Sequence, residues 1–434
     1  MTETQKINVL LIGGGGREHA LAKALVASPN LGVLHTTHPQ NPGLARLAKP
    51  VDVPVAKAEI YRLAQYCDKH KISLVVIGPE APLAEGYADA LASDTRLVFG
   101  PKASGAVLEA DKAWAKQLMR GASIPTGDAR VFTNLEQAVS YMQTREEPPV
   151  LKAAGLAAGK GVVLPANMDE AVAFLTDCLK GNKFGDAGRK VLIEERLEGP
   201  EVSVLALVDG RNIYVLETAQ DHKRLKDNDE GPNTGGMGAF SPSTRIDEET
   251  MDLVQREILV PTIDALRREG IDFRGVLYAG LMLTPSGPKV LEYNVRFGDP
   301  ECQAILPRLK SDFLDLCIAT CTGKLGNIDI EFDPRPSCCV VLASKGYPEK
   351  PVTGDIITGI PDAEKMGDVT VYHAGTKLDE KGNVVTAGGR VLSVVAIGKD
   401  MHDARERAYL AASKIDFPGK QLRTDIGALK RSHP

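Results

Sequence analysis

The chain has 434 residues, of which 43% are hydrophobic and 25% charged, and its formal net charge is -5. This length predicts roughly two to four domains with apolar cores, and the interspersed charges of both signs exclude an extended basic surface for nucleic acid. No apolar run reaches the roughly 18 residues that a membrane-spanning helix needs, so no membrane partner is expected and the predicted location is cytoplasmic. The seven cysteines include no Cys-x-x-Cys pair, which predicts buried, reduced thiols rather than disulfides or a zinc site.

The first hundred residues alternate apolar runs with helical patterns. Strands are predicted at residues 7–12, 32–36, 74–77 and 97–99, and helices at residues 18–27, 60–70 and 84–92. Strands that alternate with helices form βαβ units around a parallel sheet. Such sheets bind ligands at the carboxyl ends of their strands.

The first strand runs into a glycine-rich loop, Gly13-Gly-Gly-Gly-Arg-Glu-His-Ala20. Glycines let backbone amides approach an anion at a helix N-terminus, where the dipole favours negative charge. A dinucleotide fingerprint would require glycine at Glu18 and an acid at the next strand end, and both are missing. The loop and Arg17 therefore predict a site for the phosphate of a smaller molecule, and a tight turn without a ligand stays the alternative.

Two other strand ends in this region could serve the same ligand. Glu80, in Ile77-Gly-Pro-Glu-Ala-Pro82, could accept hydrogen bonds from sugar hydroxyls, and Gln40-Asn-Pro-Gly43 supplies a second glycine turn. Each of these segments on its own is more often an ordinary loop.

The next region does not keep the regular alternation and predicts a small α+β insert. A helix is predicted at residues 103–120, followed by strands at 131–132, 150–152, 161–164 and 191–195 and by helices at 135–143 and 169–180. The insert contains the loop Lys152-Ala-Ala-Gly-Leu-Ala-Ala-Gly-Lys-Gly161. A lysine at a strand end before small residues can bind phosphate, but Gly161 stands where a Walker loop needs Ser or Thr. A glycine-rich hairpin without function is the alternative.

Residues 202–294 predict longer antiparallel strands. They are expected at residues 202–209, 211–217, 275–284 and 288–294, with a helix at 248–268 and a Pro-Ser-Gly-Pro turn that joins the last two strands. A long glycine-rich loop, which contains Asp221-His-Lys-Arg224 and Gly231-Pro-Asn-Thr-Gly-Gly-Met-Gly238, lies between the first and second pair. Loops of this length in a compact domain are usually functional or disordered.

The last of these strands, Leu291-Glu-Tyr-Asn-Val-Arg-Phe-Gly-Asp-Pro-Glu301, carries several reactive side chains. Alternation along a strand places Glu292 and Asn294 on one face, and Leu291, Tyr293 and Val295 on the other. A carboxylate beside an amide oxygen suits Mg²⁺ or Mn²⁺. Arg296 offers a planar fork of donors for a carboxylate or phosphate. The alternative is an edge strand with a solvated polar face.

After residue 330, the segment 331–337 contains two prolines and is predicted to be a domain linker. Strands are predicted beyond it at residues 338–343, 369–373 and 390–398, with a helix at 401–415. Together they predict a compact, β-rich C-terminal module.

Taken together, five motifs resemble the glycinamide ribonucleotide synthetases, which are the phosphoribosylamine-glycine ligases of the ATP-grasp superfamily. They are Gly13–Ala20, Gly155–Gly161, Asp221–Arg224, Gly231–Gly238 and Arg296–Glu301. The resemblance implies an N-terminal α/β phosphoribosylamine-binding domain at residues 1–104. It implies an ATP-grasp core at residues 105–330 with a lid at about 126–193, and a β-rich domain at 331–434.

The resemblance also implies an activity and site residues. ATP would convert the glycine carboxylate to glycyl phosphate, and 5-phosphoribosylamine would attack it to give glycinamide ribonucleotide, ADP and phosphate in purine biosynthesis. Arg296, Asp221 and Lys152 would be catalytic, with Asp221 and Arg296 gripping glycine, and Glu292 and Asn294 would hold Mg²⁺ or Mn²⁺. ATP would be bound by Lys112, Lys152, Gly155, Gly159, Lys160, Gly161, Glu194, Leu197 and Glu201. Phosphoribosylamine would be bound by Gly15, Arg17, Glu18, Asn41, Gly43 and Glu80.

The chain departs from its relatives at two points. Ala154 stands where many relatives have an acid or serine, and residues 276–284 contain no acid that could help Glu292 and Asn294 to hold a second metal ion. Other hypotheses are a nucleotide-dependent oxidoreductase, a non-catalytic nucleotide-gated protein and a carboxylate ligase with different substrates. The expected partners are the three small-molecule substrates, with no nucleic acid or membrane, and the expected state is a monomer or weak dimer.

Overall fold

The structure is a computed structural model that describes residues 6–145, 148–157 and 161–428. No helix within these ranges is both long and apolar enough to cross a membrane.

A five-stranded parallel sheet forms the N-terminal region, which confirms the predicted α/β fold. Its strands are β1 (Ile7–Ile12), β2 (Leu31–Thr36), β3 (Lys49–Pro50), β4 (Ile72–Ile77) and β5 (Leu97–Phe99). Its helices are α1 (Gly16–Val26), α2 (Pro42–Ala45), α3 (Ile60–Lys69), α4 (Glu80–Ala84) and α5 (Tyr87–Leu91). The single helix predicted at 84–92 is wrong, because Gly86 adopts φ +83° and separates α4 from α5.

The strand order of this sheet is β3-β2-β1-β4-β5, so the order reverses between β1 and β4. Ligands of open parallel sheets bind at the carboxyl side of such a reversal. The loops that follow β1, β2 and β4 meet at this edge, and they carry the Gly13 loop, Asn41 and Glu80.

Two helices and a small sheet follow. The helices are α6 (Ala103–Ala110) and α7 (Lys112–Gly121), where one helix was predicted. Asp111 ends α6 in an extended conformation and caps α7, because its carboxylate accepts hydrogen bonds from the amides of Ala113 (2.9 Å) and Trp114 (3.1 Å). The region predicted to be a lid contains β6 (Ala129–Phe132), β7 (Val150–Ala153), β8 (Val162–Val163), β9 (Val191–Glu194), α8 (Leu135–Met142) and α9 (Met168–Leu179). The lid helices and its antiparallel sheet, in order β6-β9-β7-β8, enclose a separate apolar core.

The central region contains eight strands and two helices. They are β10 (Glu201–Asp209), β11 (Ile213–Val215), β12 (Gln220–Asp221), β13 (Arg224–Lys226), β14 (Glu230–Asn233), β15 (Gly238–Ser241), α10 (Glu248–Val254), α11 (Val260–Arg268), β16 (Arg274–Thr284) and β17 (Gly287–Asn294). The predicted helix at 248–268 is present, with a π-helical turn between α10 and α11. Strands β11-β10-β16-β17 form an antiparallel sheet that shares one continuous core with the N-terminal sheet.

Strand β17 departs from regular alternation at Leu291. Glu292 pairs with Gly280, but the next pair along β16 is Leu281 with Val290, so Leu291 forms a bulge. Val290 and Tyr293 pack in the core, whereas Leu291 faces a cavity. The prediction that Leu291 shares a face with Tyr293 is therefore wrong, because one inserted residue reverses the alternation.

The C-terminal region is β-rich, as predicted. It follows α12 (Glu301–Ile305) and α13 (Phe313–Thr322), and contains β18 (Ser337–Ala343), α14 (Ile360–Glu364), β19 (Val369–His373), β20 (Thr376–Leu378), β21 (Val384–Thr386), β22 (Arg390–Ile397) and α15 (Met401–Lys414). Its main sheet has the order β12-β15-β18-β22-β19, so two of its five strands come from the glycine-rich motifs of the central region. Asp221 therefore lies on an edge strand of the C-terminal sheet.

The predicted linker at residues 331–337 is bound along the central region. The buried guanidinium of Arg308 donates to the carbonyls of Asp333 (3.0 Å) and Arg335 (2.8 Å). All seven cysteines are free, and six of them are buried, in agreement with the sequence prediction.

Candidate active site

A cavity of about 330 Å³ lies where the N-terminal strand ends, the lid and the central sheet meet. Eleven of the sequence-predicted site residues line it. They are Glu80, Lys112, Lys152, Gly161, Glu194, Leu197, Glu201, Asp221, Glu292, Asn294 and Arg296. The sequence motifs therefore converge on one concave site, although they are spread over half of the chain.

Buried lysines surround Glu194 at the lid side of the cavity. One carboxylate oxygen of Glu194 lies 2.6 Å from the Nζ of Lys116, and the other lies 2.9 Å from that of Lys152. Burial lowers the pKa of Lys116 to about 8, although Glu194 opposes the shift. Lys152 also donates to the carbonyl of Leu291 in the bulge (2.9 Å). The cluster presents fixed positive charge to any polyanion in the cavity.

Lys116 was not predicted from the sequence to be a site residue. The available signal was its position four residues after Lys112 on one helix, since such residues share a face. Burial lowers the pKa of Lys112, whose Nζ donates to the carbonyl of Gly155 (3.2 Å).

Gly155 and Gly161, in the segment after β7, are packed too tightly to carry side chains. A Cβ at Gly155 would lie 2.6 Å from the Cα of Ala187, and a Cβ at Gly161 would lie 2.6 Å from the Cβ of Ala157. Leu156 and Ala157 line the cavity. Gly159 and Lys160, which were predicted to bind ATP, lie outside the described residues.

The predicted metal ligands face the cavity together. Burial raises the pKa of Glu292, but Lys223 and Lys152 outweigh this effect and hold the pKa below its ordinary value, so the carboxylate is ionised. Asn294 accepts a hydrogen bond from Arg296 through its side-chain oxygen (3.1 Å). These two hard oxygen donors fit a magnesium-type ion that completes its shell with water and phosphate oxygens.

The residues near Glu292 and Asn294 show which further side chains could help to hold a second metal ion. On the neighbouring strand β16, Gly280 is opposite Glu292 and Tyr278 is opposite Asn294. Within the described part of the chain, no three His, Cys, Asp or Glu side chains form a group that could hold a metal ion. An ion held by Glu292 and Asn294 would therefore need further oxygen ligands from substrate or water.

Arg296 is held between two carboxylates from different elements. Its guanidinium lies 2.7 Å from Glu109 and 3.3 Å from Glu80. Glu109 also accepts the amide of Val295 (2.8 Å), which fixes the loop after β17. Burial opposes ionisation of Glu80, but Arg296 and Arg17 lower its pKa below the ordinary value. Glu109 was not identified from the sequence, because its partner is 187 residues away.

Asp221 lies beside Lys223 in a group of four carboxylates that line the cavity. We call this group, which consists of Asp221, Glu201, Glu292 and Glu301, the acidic wall. Burial raises the pKa of Asp221 to about 8; Lys223 opposes the shift, while Glu301 and other carboxylates add to it. The Nζ of Lys223 lies 3.1 Å from Glu201 and 3.8 Å from Glu292. The amine of Lys223 thus contacts both Glu201, which is predicted to bind the ribose, and Glu292, which is predicted to bind the metal.

Tyr278, Ser203 and Glu301 form a hydrogen-bonded group next to this wall, and Tyr278 and Ser203 were not predicted from the sequence to be site residues. The hydroxyl of Tyr278 donates to Glu301 (2.5 Å) and lies 2.8 Å from the hydroxyl of Ser203. Burial raises the pKa of Tyr278 well above its ordinary value. The phenol therefore stays a hydrogen-bond donor at neutral pH.

The glycine loop after β1 is organised by Glu18. Its carboxylate accepts the amide of Gly15 (2.6 Å) and the Nε of Arg17 (2.6 Å), and a Cβ at Gly78 would lie 2.1 Å from it. Arg17 donates to the carbonyl of Phe297 (3.1 Å) and lies 4.0 Å from Glu80. The loop is thereby joined to the segment that carries Arg296.

Asn41 and Gly43 adjoin the same loop, but their polar groups have protein partners. The side-chain amide of Asn41 donates to the carbonyls of Gly14 (2.9 Å) and His373 (3.0 Å), and its oxygen accepts the amide of Gly43 (2.9 Å). A Cβ at Gly43 would lie 2.3 Å from the ring of His19. These residues hold the loop against the C-terminal region.

The chain matches three parts of one family. Residues 7–109 match the phosphoribosylglycinamide synthetase N domain, residues 110–302 the ATP-grasp (A) domain, and residues 337–429 the C domain.

Curated proteins and solved structures agree with this match. The phosphoribosylamine-glycine ligase of Rhodopirellula baltica is 47% identical over 97% of both chains. That of Escherichia coli O6:H1 is 44% identical over 97% of this chain and 98% of its own length. The crystal structure of the Thermotoga maritima phosphoribosylamine-glycine ligase superposes with a TM-score of 0.83 at 32% identity, covering 96% of this chain and all of the other. A Campylobacter jejuni biotin carboxylase shares the fold, with a TM-score of 0.73 at 14% identity over 97% of this chain and 94% of its own.

Proposed function

The chain belongs to the phosphoribosylglycinamide synthetase family and is an ATP-dependent ligase that joins glycine to phosphoribosylamine in purine biosynthesis; on this premise we propose how its residues divide the work. The γ-phosphoryl group of ATP passes to a glycine carboxylate oxygen and gives glycyl phosphate and ADP. The nitrogen of phosphoribosylamine then attacks the glycyl carbon, the C–N bond forms, and the C–O bond to phosphate breaks. Phosphate leaves with the amine proton.

ATP occupies the lid side of the cavity. Lys112 and Lys152 neutralise the phosphates, and the loop from Gly155 to Gly161, including Gly159 and Lys160, closes over them. Glu194 and the backbone of Leu197 meet the adenine, and Glu201 meets the ribose. This assignment is supported by the cation cluster around Glu194 and by the common wall that these residues form.

Glu292 and Asn294 would hold Mg²⁺ or Mn²⁺ at the phosphate end of the nucleotide. When bound, such an ion neutralises phosphate oxygens and favours an in-line geometry. The ionised carboxylate of Glu292 is the group that makes this position suitable. The preferred metal stays a prediction.

Glycine lies between Asp221 and Arg296. The carboxylate of Asp221 binds the ammonium group, and the guanidinium of Arg296 orients the carboxylate that receives the phosphoryl group. Glu80 and Glu109 already compensate Arg296, so its position is fixed before glycine arrives. Charge neutralisation and orientation then accelerate the transfer without an enzyme nucleophile.

Phosphoribosylamine lies at the edge of the N-terminal sheet. Gly15, Arg17, Glu18, Asn41, Gly43 and Glu80 hold it: the loop amides and Arg17 bind its phosphate, and Glu80 accepts from its hydroxyls. The link from Arg17 to the carbonyl of Phe297 supports this order, because it brings the sugar site next to the glycine site.

One observation carries the proposal: Arg296, Asp221 and Glu292 converge on one cavity although they lie on separate segments. The test is ADP release with each substrate omitted in turn. Continued ADP release over many turnovers is expected only when ATP, glycine, phosphoribosylamine and Mg²⁺ are all present. Full-rate ADP release with another amino acid in place of glycine would refute the glycine assignment. The domain boundaries at residues 104 and 330, the cytoplasmic location and the monomer or weak-dimer state stay predictions.

A further inference from the structure

The hairpin of β13 and β14 borders the cavity and is held from behind by the C-terminal segment 423–425. Arg224, Asn233 and Thr234 of this part of the chain line the cavity, and Lys223 directly precedes the hairpin. The carbonyl of Lys223 accepts both the amide (2.7 Å) and the hydroxyl (2.8 Å) of Thr234, so the hairpin ladder reaches the site.

We call segment 423–425 the clasp. Arg423 makes its central contact with the hairpin. Its guanidinium is buried, donates to the carbonyl of Arg224 (3.1 Å) and to the carboxylate of Asp229 (2.9 Å), and forms two bonds of 2.7 Å with Asp425. Asp425 in turn accepts the amide of Asn228 (2.9 Å). A single planar fork thus joins the first strand of the hairpin to its turn.

The turn of the hairpin needs such support. Asn228 and Asp229 both have φ of 58°, a left-handed conformation that residues with a Cβ adopt at a cost. Conformations of this kind persist where surrounding contacts over-determine them. Thr424 adds two bonds to Asp227, one of them from its amide at 2.7 Å.

The clasp itself is anchored on α15. Tyr409 donates to the carbonyl of Arg423 (2.8 Å), and Arg405 donates to the carbonyls of Thr424 (2.6 Å) and Ile426 (3.1 Å). Helix α15 packs on β18 and β22, and the sheet of these strands also contains β12, which carries Asp221. The Asp221 end and the hairpin turn of the Asp221–Asn233 segment therefore both depend on the C-terminal region.

We propose that Arg423 is a positioning residue for the glycine end of the active site. This proposal rests on the proposed role of Asp221 in binding glycine. It holds the hairpin so that Lys223 stays between Glu201 and Glu292 and the acidic wall keeps its geometry. Without the clasp, the hairpin turn relaxes and Lys223 moves. A displacement of about 1 Å in a positioning group can lower catalytic efficiency by about 100-fold.

The test compares Arg423→Gln with Arg407→Gln, in which an arginine of α15 loses its ion pair with Asp403 without touching the hairpin. Arg423→Gln is expected to raise the KM for glycine by about tenfold or more, to change the KM for phosphoribosylamine by less than about twofold, and to speed hydrogen exchange of amides 224–233. Arg407→Gln should leave all three at parent values. Equal rises in both KM values, or a parent KM for glycine with a loosened hairpin, would overturn the proposal.

Two further variants test the clasp and the glycine assignment separately from the folding of Arg423→Gln. Asp229→Asn removes the negative charge from one clasp contact at a half-exposed side chain, so it weakens the clasp without burying a lone charge and tests it even where Arg423→Gln fails to fold. The double variant should be no worse than Arg423→Gln alone, because both changes break one unit; additive effects on KM would count against it. Asp221→Asn in the same assay separates the two proposals: a parent KM for glycine there would refute the assignment of Asp221, whatever the hairpin does.

Discussion

The protonation state of Asp221 makes a quantitative prediction about glycine binding. Burial beside Glu301 and the other acids raises the pKa of Asp221 to about 8, so about one-tenth of it is ionised at pH 7 and about half at pH 8. Only the ionised form attracts the glycine ammonium. The dissociation constant for glycine should therefore fall about tenfold from pH 6 to 7 and about fivefold from pH 7 to 8.

Isothermal calorimetry on the nucleotide-free protein can measure this directly. Titrations at pH 7 in buffers of different ionisation enthalpy should show release of about 0.9 proton for each glycine bound. Asp221→Asn should abolish both the proton release and the pH dependence below pH 8. A pH-independent dissociation constant with no proton release in the parent protein would refute the reasoning.

The same shift gives a stability control. Because the folded pKa of Asp221 lies above the unfolded value, folding takes up a proton between about pH 4 and pH 8, and its contribution to stability is lost as pH rises through that window. Asp221→Asn should therefore gain thermal stability relative to the parent protein as pH increases. An identical pH dependence of the melting temperature in both proteins would contradict a raised pKa of Asp221.

Three further predictions address the metal, the cation cluster and the glycine loop. Glu292→Gln should lower ADP release by at least about 100-fold even at saturating Mg²⁺ while circular dichroism stays unchanged, and near-normal turnover would reject its role as a ligand. Glu194→Ala leaves two buried lysines without their carboxylate and should destabilise the protein by about 3–5 kcal/mol in chemical unfolding, whereas the exposed-pair control Asp186→Asn should change stability by less than about 1 kcal/mol. Gly78→Ala places a Cβ 2.1 Å from the carboxylate of Glu18 in the glycine loop and should raise the KM for phosphoribosylamine. The control Gly121→Ala, whose Cβ meets nothing within 4 Å, should leave this KM unchanged. Equal KM values in the two variants would count against a role for this loop.

Local sequence patterns predicted most of the secondary structure but missed its interruptions. Gly86 and Asp111 each divide a segment that was predicted as one helix, although a left-handed glycine and an N-capping aspartate leave recognisable signals. The bulge at Leu291 leaves no such signal, because it depends on pairing with β16. Hydrophobic periodicity reports which residues can be buried, and the partner strand decides where alternation breaks.

The candidate site was predictable where several reactive residues lie close together in sequence. Glu292, Asn294 and Arg296 share one strand end, and their convergence in a cavity follows from strand geometry. Glu109 could not be found in this way, because only the folded chain brings it to Arg296. Charged side chains that fix other charged side chains leave no local pattern, so the supporting contacts of a site are harder to predict than the groups that meet the substrate.

The sheet that joins β12 and β15 to β18 also has a consequence for synthesis of the chain. The glycine-rich motifs leave the ribosome well before residues 337–343, which are their neighbours in the sheet. At about 5–20 residues per second, strand β15 waits on the order of ten seconds with an unpaired edge. Such an edge can pair with other chains, so we expect nascent chains truncated before residue 337 to aggregate and to have no ligase activity, however complete their ATP-binding residues are.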